Sequence, residues 1–226
     1  MRGSESRFIG ALLNGLPTDQ ISPLLNLGSS TLRFRQVDYP HIDREIFSPL
    51  QRRGVEVIHS DLKEDEGVDI AGNIYDPAIQ EKVRSVGARI IICCNIMEHV
   101  TDPLEFARIA ASLIPAGGMI LVTVPYSYPF HPDPIDTYFR PSPGEVARLF
   151  EGLELVEARV VEDTTYLHDL LQEKRAAQLL RHFASHGVKF FLPFTGFTSW
   201  KARYHRYLWL FRCYKVSCAL LRKQAN

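Results

Sequence analysis

The residue types best suited to chemistry gather in the stretch Tyr126–Arg140, which is long, aromatic and stiffened by proline. His131 stands near its middle. An imidazole close to its ordinary pKa takes up a proton at neutral pH, so His131 is the general-base candidate. Tyr126 and Tyr128 offer aromatic faces that attract a cation. Asp136 and Arg140 complete the polar set. A second reading stands beside the catalytic one: His131 and Asp136 can simply tie the stretch down through hydrogen bonds. Further upstream, Leu24–Ser30 places Asn26, Gly28 and Ser30 around what reads as a strand end, where a lone glycine marks either an ordinary turn or a close backbone approach to a ligand.

The elements that must position these residues are clearest in Ala88–Pro125. Arg89–Cys94 is an apolar run without polar alternation, as expected of a parallel strand buried on both faces. Asp102 then has the character of a helix cap, Pro103 suits the first helical position, and Glu105 lies at capping-box spacing. Leu104, Ala107, Ala111 and Ile114 recur on one helical face. Pro115–Gly118 stops the helix and Met119–Val124 supplies another buried strand, which makes the unit a right-handed β-α-β crossover. Around it the sequence predicts an N-terminal helix over 7–16, strands over 55–60 and 68–73, and a helix over 42–53 with a boundary or kink at Pro49. Asp76-Pro77 starts a helix over 78–86, another follows over 143–150, and a strand follows over 153–161. Residues 165–185 read as helix, Val188–Phe194 as a last strand or an apolar loop, and Trp200–Leu221 as a basic, aromatic helix.

The wording of the central unit, Asn95-Ile96-Met97-Glu98-His99-Val100-Thr101-Asp102-Pro103 followed by Ile114–Pro125, resembles the later motifs of class I S-adenosylmethionine-dependent methyltransferases, particularly the small-molecule type 11 group. By motif order the resemblance covers about residues 22–162. It implies an α/β fold: a Rossmann-like, doubly wound, mostly parallel sheet with helices on both faces, here with a C-terminal helical extension that is basic and aromatic. It also implies S-adenosylmethionine as cofactor, bound by Asn26, Gly28, Ser30, Asp61, Asn73 and Asn95. Asp61 matches the position whose carboxylate accepts bonds from ribose hydroxyls, with a loop-capping role as the alternative. Asn73 stands where an Asp commonly addresses the adenine amino group. Glu98 and His99 match a pair that shapes the site or caps the helix. Tyr126–Arg140 matches the substrate loop. The sequence departs from the family pattern where Asn26 replaces an acidic residue and where Ser30 and Leu32 replace glycines. A catalytically inactive binding or scaffold module is therefore the alternative to a methyltransferase acting on a small-molecule or lipid-linked acceptor. The absence of a Gly-x-Gly-x-x-Gly turn argues against a nicotinamide-dependent oxidoreductase.

Length and composition set the remaining bounds. With 226 residues, 46% of them hydrophobic, one substantial core with an appendage is expected. The reading divides the chain into a helical segment over 1–21, the α/β domain over 22–164 and an extension over 165–226. Phe8–Leu13 is too short for a secretory or spanning segment. The four cysteines show neither disulfide nor metal-ligand spacing, so no metal is expected and a reducing cytoplasm fits. The net charge of zero conceals an asymmetry: all 26 acidic residues precede Lys174, whereas 11 of the 26 basic residues follow Glu173. Such a tail meets either an anionic membrane through residues 189–226 or the acidic body of the protein itself; nucleic acid is not an expected partner.

Overall fold

The computed structural model describes residues 1–132, 135–190, 200–201 and 204–225. Among these, strands β1 (Leu24–Leu27), β2 (Val57–Asp61), β3 (Ile70–Ala71), β4 (Ile90–Cys94), β5 (Met119–Ser127), β6 (Leu153–Thr165) and β7 (Cys213–Lys223) form one sheet in the order β3-β2-β1-β4-β5-β7-β6. The first five pair in parallel, and β7 inserts antiparallel between β5 and β6. This is the doubly wound α/β architecture expected from the sequence.

Side-chain alternation explains why the central strands are apolar throughout. On β4, Ile91 and Cys93 join one core, whereas Ile90 and Ile92 join the other. Helices α4 (Pro77–Ser85), α5 (Pro103–Leu113) and α6 (Pro143–Leu149) cover the first face with Val83, Phe106 and Val146. Helices α1 (Gly3–Asn14), α2 (Thr18–Ile21) and α3 (Ser48–Arg52) cover the second with Ile9, Leu13, Ile21 and Leu50. Asp102 caps α5 by accepting from the backbone N–H groups of Leu104 and Glu105 at 3.0 and 2.9 Å, with Pro103 in the first turn. A reciprocal capping box forms instead at α6, between Ser142 and Glu145. Residues 43–47 make a wide π-helical turn leading into α3. Gly10 lets α1 press on that turn, because a Cβ there would lie 2.0 Å from the Glu45 carbonyl oxygen.

The C-terminal part differs from the expectation. Helices α7 (Tyr166–Glu173) and α8 (Ala176–Phe190) occupy the region read as one helix over 165–185. Of the stretch Val188–Phe194, the first three residues end α8, and 191–194 lie outside the described residues. The helix expected over Trp200–Leu221 gives way after a short 3₁₀ turn, Arg206–Trp209, to strand β7. Tyr214 and Val216–Leu221 are buried, and a short apolar run flanked on both sides by sheet has no periodicity with which to announce itself as strand rather than helix. Several basic side chains of this region engage the body: Lys215 pairs with Glu162, Lys223 donates to the carbonyls of Ala111 and Ile114, and Arg206 stacks over Tyr166.

Candidate functional site

A cavity of about 1390 Å³ opens beyond the carboxyl ends of β1 to β5, where open α/β sheets hold their ligands. Gly28, Asp61, Asn73, Asn95, Tyr128 and His131 all contribute to its wall. Asn26 and Ser30 do so as well.

The wall formed after β1 and β2 is closely paired with itself. Gly28 turns with φ +71°, and a Cβ there would meet Ile96 Cδ1 at 2.5 Å. Ser30 takes the left-handed conformation (φ 54°) that a glycine adopts freely and that costs another residue about 1 kcal/mol or more. Its N–H donates to Asp61 Oδ2 at 2.7 Å, and Lys63 N–H donates to Oδ1 at 3.1 Å. Each carboxylate oxygen has a further lone pair, so these bonds orient Asp61 without exhausting it. Arg35 is buried and clamps the turn through the carbonyls of Ser29, Ser30 and Gly67. Asn26 Nδ2 lies 3.1 Å from His59 Nδ1. Burial and then the nearby Arg35 guanidinium push the His59 imidazole down to about 4, which leaves it neutral and able to accept from the Asn26 amide. Asn73 Oδ1 accepts from Tyr75 N–H at 3.1 Å.

Asn95 does not present a free amide to the cavity. Its Nδ2 donates to Glu5 Oε1 at 2.8 Å, and Thr123 Oγ1 donates to the same oxygen at 2.6 Å. Glu5, on α1, is fully buried. Alongside it Arg2 reaches Asp163 at 3.1 Å and Asp169 at 2.7 Å and lies over the Tyr214 ring, so α1 is fastened across the sheet end. Glu5 and Arg35 were not singled out from sequence, where a charge on an amphipathic helix reads as solvated.

Beyond β5 the expectations divide. Tyr126 is 41% exposed and is absent from the cavity wall, because the register slips between Pro125 and Ser127 and such a bulge re-aims the side chain within it. Tyr128 does line the cavity. Asp136 accepts from the backbone N–H groups of His131 and Tyr138 and from Arg140 Nη2, at 3.0, 2.9 and 2.7 Å. Burial opposes its ionisation, yet Arg140 and these backbone donors hold its carboxyl below the usual range. Asp136 and Arg140 thus tie the loop down rather than line the cavity.

His131 faces inward, and burial lowers its imidazole pKa. Its Nδ1 lies 3.1 Å from the Pro129 carbonyl and 3.2 Å from Asp136 Oδ2. Both neighbours only accept, which assigns the hydrogen to Nδ1 and leaves the lone pair on Nε2. Nε2 is 3.9 Å from Glu98 Oε1. His99 repeats the arrangement, with Nδ1 2.5 Å from the Ile135 carbonyl and Nε2 3.7 Å from the same Glu98 oxygen. Glu98 is fully buried, and among the described residues neither of its oxygens has a hydrogen-bond partner. Burial pushes its carboxyl up to about 8.

No family model and no curated protein sequence matches the chain. Solved structures do. A Galdieria sulphuraria protein assigned as a sarcosine dimethylglycine methyltransferase superposes with a TM-score of 0.55 at 15% identity, covering 98% of this chain and 85% of that one. A Bacillus halodurans protein assigned as a methyltransferase gives 0.55 at 14% identity, covering 96% and 99%. Coclaurine N-methyltransferase bound to N-methylheliamine and S-adenosylhomocysteine gives 0.55 at 11% identity, covering 96% and 69%. At such identities the likeness concerns the fold, and the chain has the Rossmann-like α/β fold of the class I methyltransferases.

Proposed function

We propose that the protein is an S-adenosylmethionine-dependent methyltransferase acting on a small-molecule or lipid-linked acceptor. The observation that carries the reading is the large cavity at the carboxyl end of this sheet, with Gly28, Asp61 and Asn73 along one wall and Tyr128 and His131 along the other. In this reading Asp61 receives the ribose hydroxyls on its remaining lone pairs, and Asn26, Gly28, Ser30 and Asn73 shape the nucleoside pocket. Asn95 acts by holding α1 through Glu5. The acceptor approaches from the His131 side. Its lone pair forms a bond to the methyl carbon as the carbon–sulfur bond breaks, the sulfonium becomes a thioether, and the acceptor's proton passes to Nε2 of His131. Alignment supplies most of the acceleration in such an in-line transfer. Incubation of the full chain with methyl-labelled S-adenosylmethionine and a panel of hydroxylated and amine acceptors tests the reading. Label in an extractable product supports it, and failure of every acceptor together with failure to bind the cofactor refutes it.

One observation favours the alternative of an inactive binding module: Ile96 packs on Gly28, and the nearby donors of the turn are used, since the N–H groups of Gly28 and Ser29 both donate to the Ser60 carbonyl. Peripheral contact with anionic lipid through residues 189–226 has Leu208 and Phe211, 62% and 81% exposed, as its support, whereas Trp209 is buried and bonded to Ser127. No helix among the described residues is long and apolar enough to cross a membrane. The four free cysteines fit a cytoplasmic setting.

A further inference from the structure

Glu98, His99 and His131 form an arrangement that their hydrogen bonds leave unfinished. One ligand atom from each lies within 4.8 Å of the others, and the two imidazoles stand nearly perpendicular with ring centroids 5.3 Å apart. The carbonyls of Ile135 and Pro129 occupy both Nδ1 positions, so both Nε2 lone pairs face a carboxyl group that is fully buried and, among the described residues, has no hydrogen-bond partner. Three potential ligand atoms thus converge with no hydrogen bond between them among the described residues. Distances of 3.7 and 3.9 Å from Glu98 Oε1 to the two nitrogens are too long for hydrogen bonds. They are close to the roughly 3.4 Å that separates two ligands of one tetrahedral ion with bonds near 2.1 Å.

We propose that Glu98, His99 and His131 bind one divalent transition-metal ion of the zinc type. A carboxylate with two neutral imidazoles is a donor set that such ions favour, and it leaves a coordination position open. That position faces the cavity, since His99 and His131 line it. The backbone carbonyls on both Nδ1 atoms are the outer partners that fix the ring orientation of metal-bound histidines. Thr137 braces the site by donating its N–H to the Glu98 carbonyl at 2.9 Å. The ion's use rests on the methyl-transfer reading: it would bind an acceptor hydroxyl and lower its pKa so that the proton is released to water in the open cavity, and the His131 lone pair would then hold the ion instead of taking the proton directly. Its binding does not depend on that reading.

The test is a zinc titration of the full chain, stripped with a chelator, in competition with a chromophoric indicator. One Zn²⁺ per chain is expected. His99→Ala, His131→Ala and Glu98→Gln each weaken binding by about 100-fold or more, because even outer partners of metal ligands are worth 10- to 100-fold. His168→Ala, at an exposed histidine outside the cluster, binds as the parent does. Should a variant fail to fold, nitrogen-15 spectra of the unaltered protein decide the matter: Zn²⁺ shifts two imidazole Nε2 resonances and leaves their Nδ1 protons in place. Binding below one ion per chain at micromolar free Zn²⁺, undiminished affinity in a folded His131→Ala protein, or unmoved Nε2 resonances would each overturn the proposal. S-adenosylhomocysteine affinity, measured with and without chelator, tests the methyl-transfer reading separately.

Discussion

The two walls of the cavity are built on opposite principles. After β1 and β2, the polar groups are already paired: Ser30 and Lys63 on Asp61, the buried Arg35 on three carbonyls, and the buried Asn26 beside His59. After β4 and β5, Glu98 is buried without a hydrogen-bond partner among the described residues, and two imidazoles aim lone pairs toward it. A buried polar group without a partner costs about 1–3 kcal/mol, so the first wall supports itself and the second is completed by what binds there. In the proposed reading the first is a preformed cradle and the second the reacting end.

The largest effect that could break this division is on turnover. His131→Ala is expected to lower the rate by about 10²- to 10⁴-fold while S-adenosylhomocysteine affinity stays within a factor of about two; steady-state kinetics and calorimetry on the same preparation separate the two quantities. An equal loss in both would merge the walls into one site.

The paired wall should reveal itself through pH. Burial and the Arg35 guanidinium depress His59 to about 4 in the folded protein, whereas the unfolded chain titrates near 6.5. The unfolded state therefore binds more protons as the pH falls. The contribution is complete above pH 6.5 and is lost progressively towards pH 4, amounting to about 3 kcal/mol. Denaturant midpoints measured across that range check it, and in His59→Gln the slope should flatten. An unchanged slope would remove His59 from the preformed wall.

Next in size, Asp61→Ala is expected to weaken S-adenosylhomocysteine binding by about 1.5 to 3 kcal/mol, the range for hydrogen bonds to a charged group. Because the carboxylate also holds Ser30 and Lys63, thermal stability of the free variant must be recorded beside the affinity. A loss of stability with unchanged affinity assigns Asp61 to the loop alone. The smallest effect lies in the frame: Asp102→Ala removes the α5 cap and should cost about 1 kcal/mol of stability with no change in ligand affinity.

The frame is also the part most legible in the sequence. Asp102-Pro103 marks the start of α5 by local chemistry alone, and the apolar run Arg89–Cys94 announces a strand covered on both faces. Strand β7 was hidden because its neighbours are brought from far along the chain, and its inner stretch Val216–Leu221, buried on both faces, has no period. Tyr126 was misplaced because a bulge is a tertiary event that alternation does not encode. The place of Gly28 and Asp61 at the strand ends that line the cavity was legible through motif position, but the burial of Arg35 and Glu5 was not, since only packing buries those charges. The Glu98–His99–His131 convergence escaped for a related reason. Two of its members are adjacent, the third comes from the following loop, and no sequence spacing brings them together.

The reading of the cavity as a methyl-transfer site is tested most directly by calorimetric titration of the full chain with S-adenosylmethionine and with S-adenosylhomocysteine. The account predicts saturable binding of both at one site per chain, weakened by Asp61→Ala. No detectable binding of either ligand at millimolar concentration would contradict it and leave the fold serving as a cofactor-free binding module.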